Sequence, residues 1–123
     1  MKAMLSKSDL LAHKRIFQKV AKPQRGTANK TFVTLTVSDK FTVTGPGLSH
    51  AMECQAVAWG RTSVPYHIWK RLMQTLQFTS EGEVTIAAED GKIELDKLSI
   101  SNPKIQVVHL SPSGEPTGEY IID

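Results

Sequence analysis

Two stretches, Ser8 to Ala21 and Pro65 to Gln77, place apolar residues at the 3.6-residue period of a helix, and each is followed by segments that alternate at period two. This echo restricts the fold more than any other feature. A helix followed by hairpin strands, occurring twice in 123 residues, predicts one α+β domain over 1–123, with two helices on one side of antiparallel sheet.

At about 100° per residue, the first helix gathers Leu10, Ala12, His13, Ile16, Phe17, Val20 and Ala21 on one side and Lys14, Arg15, Gln18 and Lys19 on the other, with Leu11 an apolar intruder among the latter. Ser8 is the expected N-cap, and Asp9 suits the positive end of the helix dipole. In the second helix Pro65 fits the first helical position, where a missing N–H costs nothing. Ile68, Trp69, Leu72, Met73 and Leu76 form its buried side, and His67, Lys70, Arg71, Gln74 and Gln77 its wet side.

Neither wet side holds a carboxylate. Solvated helix faces ordinarily mix signs, with Glu placed to support Lys, so two acid-free faces point to a polyanion backbone as partner. Net charge is +3, but 12 Lys and Arg against 3 Asp and Glu lie in 1–77, and 3 against 9 lie in 78–123. A chain divided this way can attract anions at one surface and meet the basic region of a neighbour with another. Lys7, Lys22 and Arg25, which flank the first helix, join the candidate polyanion-contacting set.

Between and after the helices the pattern is that of strands. Thr31 to Val37 and Lys40 to Thr44 form a hairpin about Ser38-Asp39, Gly45-Pro46-Gly47 breaks it, and His50 to Trp59 is expected to be a third strand. Glu83 to Glu89 and Lys92 to Asp96 flank the turn dipeptide Asp90-Gly91. Ser99 to Ser101 and Lys104 to Leu110 are expected to pair about Asn102-Pro103, with a loop over 111–119 and a last edge strand at Tyr120 to Ile122. Met1 to Leu5 is a short first strand, and Lys22 to Lys30 a basic loop.

No catalytic constellation, metal site or cofactor site emerges. His13, His50, His67 and His109 lack a ligand-spaced partner; His13, on an apolar face, is expected to be a hydrogen-bonded, partly buried histidine. Gly45-Pro46-Gly47 lacks the Lys-Ser/Thr ending of a phosphate loop, and no nucleophile elbow is present. Cys54 stands alone in strand-like sequence, which suits a small buried hydrophobe in a reducing compartment. With no spanning or secretory segment, a cytoplasmic location is expected.

The segments MKAMLSKSDLLAHKRIFQKV, TFVTLTVSDKFTVTGPGLSHAMECQAVA, TSVPYHIWKRLMQTL and GEVTIAAEDGKIEL, taken in order, resemble one domain of a bacterial sliding clamp, the processivity subunit of the replicative DNA polymerase. The resemblance covers Met1 to Leu110 and rests on element order and residue class. It implies two helices facing duplex DNA phosphates from inside a ring, curved sheets outside, and a non-enzymatic role in DNA replication. Lys14, Arg15, Gln18, Lys19, His67, Lys70, Arg71 and Gln74 are the residues on which that role falls. Bacterial clamps carry three such domains per chain, and here Gly45-Pro46-Gly47-Leu48 replaces their usual acidic turn. Self-association through sheet edges, with Lys104 to Leu110 as the candidate edge, is the expected route to a homo-oligomer. The competing expectation is a clamp-fold module that binds a replication or other protein partner without encircling DNA.

Overall fold

The computed structural model describes residues 1–20 and 31–111. The expected basic loop over Lys22 to Lys30, and the expected strand at Tyr120 to Ile122, lie outside the described residues.

The chain runs through β1 (Lys2–Ser6), α1 (Lys7–Val20), β2 (Phe32–Val37), β3 (Lys40–Gly45), β4 (Leu48–Glu53), β5 (Gln55–Ala58), β6 (Gly60–Pro65), α2 (Tyr66–Gln74), a 3-10 turn at Leu76–Phe78, β7 (Glu83–Glu89), β8 (Lys92–Leu95), β9 (Leu98–Ser101) and β10 (Val107–His109). Two five-stranded sheets result, ordered β5-β1-β7-β8-β9 and β10-β6-β2-β3-β4, and every pairing is antiparallel.

These orders contain a repeat. β1 leads into α1, which crosses to the β2-β3-β4 meander of the other sheet, and β5 returns to pair with β1. β6 leads into α2, which crosses to the β7-β8-β9 meander of the first sheet, and β10 returns to pair with β6. The echo read in the sequence is therefore a βαββββ unit used twice, with each helix spanning the two sheets. A single core forms between them: Ala3, Leu5, Val84, Ile86, Ile93 and Leu95 face inward from one sheet, and Val33, Leu35, Val37, Phe41, Val43 and Val64 from the other. Leu10, Phe17, Trp69, Leu72 and Leu76 close it from the helices.

Several expectations need correction. The cap of α1 is Ser6, whose Oγ accepts the Asp9 N–H at 3.4 Å, because the helix starts at Lys7, two residues earlier than Ser8 as cap would require. Ala12 and Ile16 are exposed rather than buried, while Leu11 packs against the core and Lys14 is half-buried. The buried arc is centred on Leu10, His13 and Phe17, so it is turned toward Leu11 and away from Ala12. Pro65 ends β6 and caps α2 at φ −56° and ψ 141° instead of opening the helix.

His50 to Trp59 is two strands in different sheets, since the chain crosses over at Cys54. Cys54 is half-buried there, its Sγ 4.0 Å from Ser38 O, and burial pushes its thiol up in pKa, aided by Asp39 and Glu53. Likewise β9 pairs with β8 and β10 with β6, so the expected pairing about Asn102-Pro103 does not form. β6 carries too few apolar residues to announce itself: its inward positions are Gly60, Thr62 and Val64. A Cβ on Gly60 would lie 3.0 Å from Met1 Cβ and 3.2 Å from Val108 O, and the buried Thr62 hydroxyl donates to Gln106 O at 2.6 Å. Close backbone approach explains both residues.

The tight turns behave as read. Pro46-Gly47 joins β3 to β4 with Gly47 at φ 74°, and Asp90-Gly91 joins β7 to β8 with Gly91 at φ 83°. Among the described residues no helix is long and apolar enough to cross a membrane.

Candidate nucleic-acid interface

α1 and α2 are neighbours, and two ring contacts define their relative direction. His13 of α1 meets Trp69 of α2, and one turn later Phe17 stacks on Tyr66 with centroids 5.3 Å apart. Residue numbers rise on one helix as they fall on the other, so the helices run antiparallel. Each contact joins the buried sides, which leaves the wet sides turned away from the core.

On α1, Arg15, Gln18 and Lys19 are exposed and Lys14 is half-buried; on α2, His67, Lys70, Arg71 and Gln74 are exposed. Two tracks of cations and neutral donors thus lie on adjacent rods. Asp9 sits in the first turn of α1, and α2 has no acid in its first turn. Among the described residues the ion pairs are Lys7–Glu81, Lys40–Glu53 and Lys92–Glu94, and none reaches the helix-face cations. Among the described residues no ion pair neutralises their charge.

Lys7 differs. Its side chain is nearly buried, with Nζ donating to Thr79 O at 3.1 Å and to Glu81 Oε1 at 3.2 Å. That ammonium holds the start of α1 to the segment after α2. Lys22 and Arg25 lie outside the described residues.

The acids collect elsewhere. Glu83, Glu89 and Asp90 are exposed and Glu94 is half-buried along β7, β8 and the turn between them. Asp96 closes β8 to β9 at φ 53° and accepts the N–H groups of Ser80 at 2.8 Å and Thr85 at 2.9 Å. Burial works against its charge, but those two N–H groups, the Ser80 hydroxyl and Lys7 outweigh it and hold the carboxyl below its usual range. Asp96 is a staple for the loop after α2.

Two features of this region were not visible in the sequence. His50, on β4, reaches His13 across the sheet-helix boundary, and no spacing rule connects residues 37 apart. Phe78, just past α2, is 79% exposed beside a cleft of about 480 Å³ lined by Thr75, Thr79, Leu95, Asp96 and Leu98. Among the described residues no cluster of three or more His, Cys, Asp or Glu is placed to hold a metal ion.

This architecture is that of a domain of the bacterial DNA polymerase III beta sliding clamps. The beta clamp of Helicobacter pylori bound to a DNA ligase peptide superposes with a TM-score of 0.66 at 16% identity, over 92% of this chain and 32% of that one. The beta subunit of Streptococcus pyogenes DNA polymerase gives 0.64 at 9% identity, over 86% and 30%. Caulobacter crescentus pol III beta gives 0.60 at 15%, over 89% and 31%. The chain therefore spans about a third of the length of the clamps it matches. No protein-family model and no curated protein sequence matches it.

Proposed function

We propose that this chain is a non-enzymatic, sliding-clamp-like DNA-binding domain that holds duplex phosphates along α1 and α2 without reading base sequence, in the service of cytoplasmic DNA replication. The observation that carries the reading is the pair of adjacent antiparallel helices whose wet faces bear Lys14, Arg15, Gln18, Lys19, His67, Lys70, Arg71 and Gln74, with no carboxylate in that set and, among the described residues, no ion pair on its cations. Phosphate contacts of this kind position a protein on DNA and carry no sequence information. Lys22 and Arg25 belong to the same basic set by sequence; Lys7 contributes least, because Glu81 already pairs with it.

The test is duplex binding against salt. Each phosphate contact contributes about 0.9 to the slope of log affinity on log salt. Lys14, Arg15, Lys19, Lys70 and Arg71 changed together to Glu should abolish binding to every duplex alike. Loss confined to particular base sequences, or no binding by the unaltered protein at low salt, would overturn the proposal.

Encirclement needs several domains. A ring built of domains like this one is joined at sheet edges, and among the described residues β5, β9, β10 and β4 are the edges available. A second reading has a specific observation behind it: exposed Phe78 beside an open cleft suits a peptide partner. One matching clamp was solved bound to a DNA ligase peptide. In that reading the domain binds a protein partner and leaves DNA alone, and failure of the salt test would favour it.

A further inference from the structure

Three rings from three elements meet behind the cationic faces. The Trp69 indole N–H donates to His13 Nε2 at 3.2 Å, and His13 Nδ1 lies 3.0 Å from His50 Nδ1. An indole N–H can only donate, so His13 Nε2 must present a lone pair. A neutral His13 then carries its proton on Nδ1 and donates it to His50 Nδ1, whose own proton sits on Nε2. One proton arrangement satisfies both bonds.

Every other arrangement breaks one of them. A proton added to His50 Nδ1 would face the His13 N–H donor to donor. His13 could answer only by moving its proton to Nε2, where it would face the indole N–H. A proton added to His13 itself displaces the Trp69 bond directly. We propose that the Trp69–His13–His50 chain is a proton-sensitive latch that ties β4, an edge strand, to the two helices, closed while both imidazoles are neutral and released when either takes a proton.

The surroundings give the latch a wet end and a dry end. His13 and Trp69 are fully buried, and the His13 ring lies nearly parallel to that of His50 with centroids 5.2 Å apart and is tilted at 5.8 Å from Phe17. His50 is half-buried and borders a shallow cleft of about 230 Å³ lined by Asp9 and Ala12 of α1 and by Met52 and Glu53 of β4. His50 is the member of the chain that borders solvent. The charged groups at that mouth are Asp9 from α1 and Glu53 from β4, the latter paired with Lys40 of β3 at 3.5 Å. From α2, Trp69 is the contact, and Lys70 and Arg71 lie on the exposed side. Burial, with His50 adding to it, holds His13 down to about 4, so the dry end resists charge.

Nuclear magnetic resonance of the full chain tests this without reference to DNA. At neutral pH the ring nitrogens should show His13 protonated on Nδ1 and His50 on Nε2; the reverse tautomer on His13 would overturn the proposal whatever any variant does. On titration toward about pH 4 the Trp69 indole N–H signal should move while that of Trp59 serves as control. In His50→Asn, whose amide oxygen can accept the His13 N–H but takes up no proton, the midpoint of the Trp69 change should move to lower pH. An unmoved Trp69 signal in the unaltered protein, or the same midpoint in both proteins, would sink the latch.

Discussion

Trp69 shows how one buried side chain serves packing and polarity together. Its ring is fully enclosed near Phe41 and His13, and its single donor is used. Trp69→Ala should cost about 3–5 kcal/mol in denaturant unfolding, as large-to-small aromatic substitutions do. Trp69→Phe keeps most of the volume but orphans His13 Nε2, and about 1–3 kcal/mol is expected for that alone. His13 also sets a pH dependence. Its pKa falls on folding from an ordinary 6.5 to about 4, so the unfolded chain binds the proton more readily. Its stabilisation is complete above about pH 6.5 and is lost progressively as pH falls toward 4. Asp96 adds a second, more acidic step of the same sign, since a carboxyl held low in the fold loses its contribution as pH falls through that lowered value. Asp96→Asn should remove that step and lower stability by about 1.5–3 kcal/mol, the range for hydrogen bonds to charged groups; Asn tolerates the positive φ, so backbone strain does not confuse the result.

At the scale of elements, the orientation of α1 is the most testable feature. Ile16 is exposed on its wet face although its chemistry suggested core, whereas Leu10 is fully buried. Ile16→Lys should therefore change stability by no more than about 0.5 kcal/mol, while Leu10→Ala should cost about 2–5 kcal/mol. If α1 lies against DNA, the added Lys should also steepen the salt slope by about 0.9. A destabilising Ile16→Lys would place that residue in the core after all. The edge strand β10 is partly covered: the Val107 N–H is taken by Asp90 Oδ1 at 2.8 Å, and the Leu110 N–H returns to Trp59 O on β6's side. By strand alternation the His109 N–H points outward. His109→Pro thus removes an open-edge donor, whereas Val107→Pro would break the Asp90 bond and confuse the outcome. Should β10 mediate self-association, His109→Pro will lower the particle mass by light scattering while circular dichroism stays unchanged.

On the scale of the whole molecule, the doubled βαββββ unit separates charge. The basic tracks belong to the helices, and among the described residues Glu83, Glu89, Asp90 and Glu94 lie along β7, β8 and their turn at one sheet. Opposite signs on different surfaces suit head-to-tail contact between copies, and such contact should weaken as salt rises. Sedimentation at rising concentration and two salt levels checks this. A particle that stays monomeric at every concentration would remove self-association.

Much of this was legible in the chain, because helix period, strand alternation and turn residues are local properties. Both helices, their wet residues, the Asp90-Gly91 and Pro46-Gly47 turns and the repeat could be read because Leu10, Phe17, Trp69, Leu72 and the alternating Phe32 to Val37 run declare their faces within a few residues. Tertiary structure decided the rest. It broke His50 to Trp59 at Cys54, where alternation continues but the strand changes sheets, and it placed β6 centrally although its inward positions are only Gly60, Thr62 and Val64. It turned Ile16 outward and Leu11 inward, because the width of a buried arc depends on what packs against it. Above all it joined His50 to His13 and Trp69, since a hydrogen bond depends on proximity in space, and sequence separation carries no trace of it.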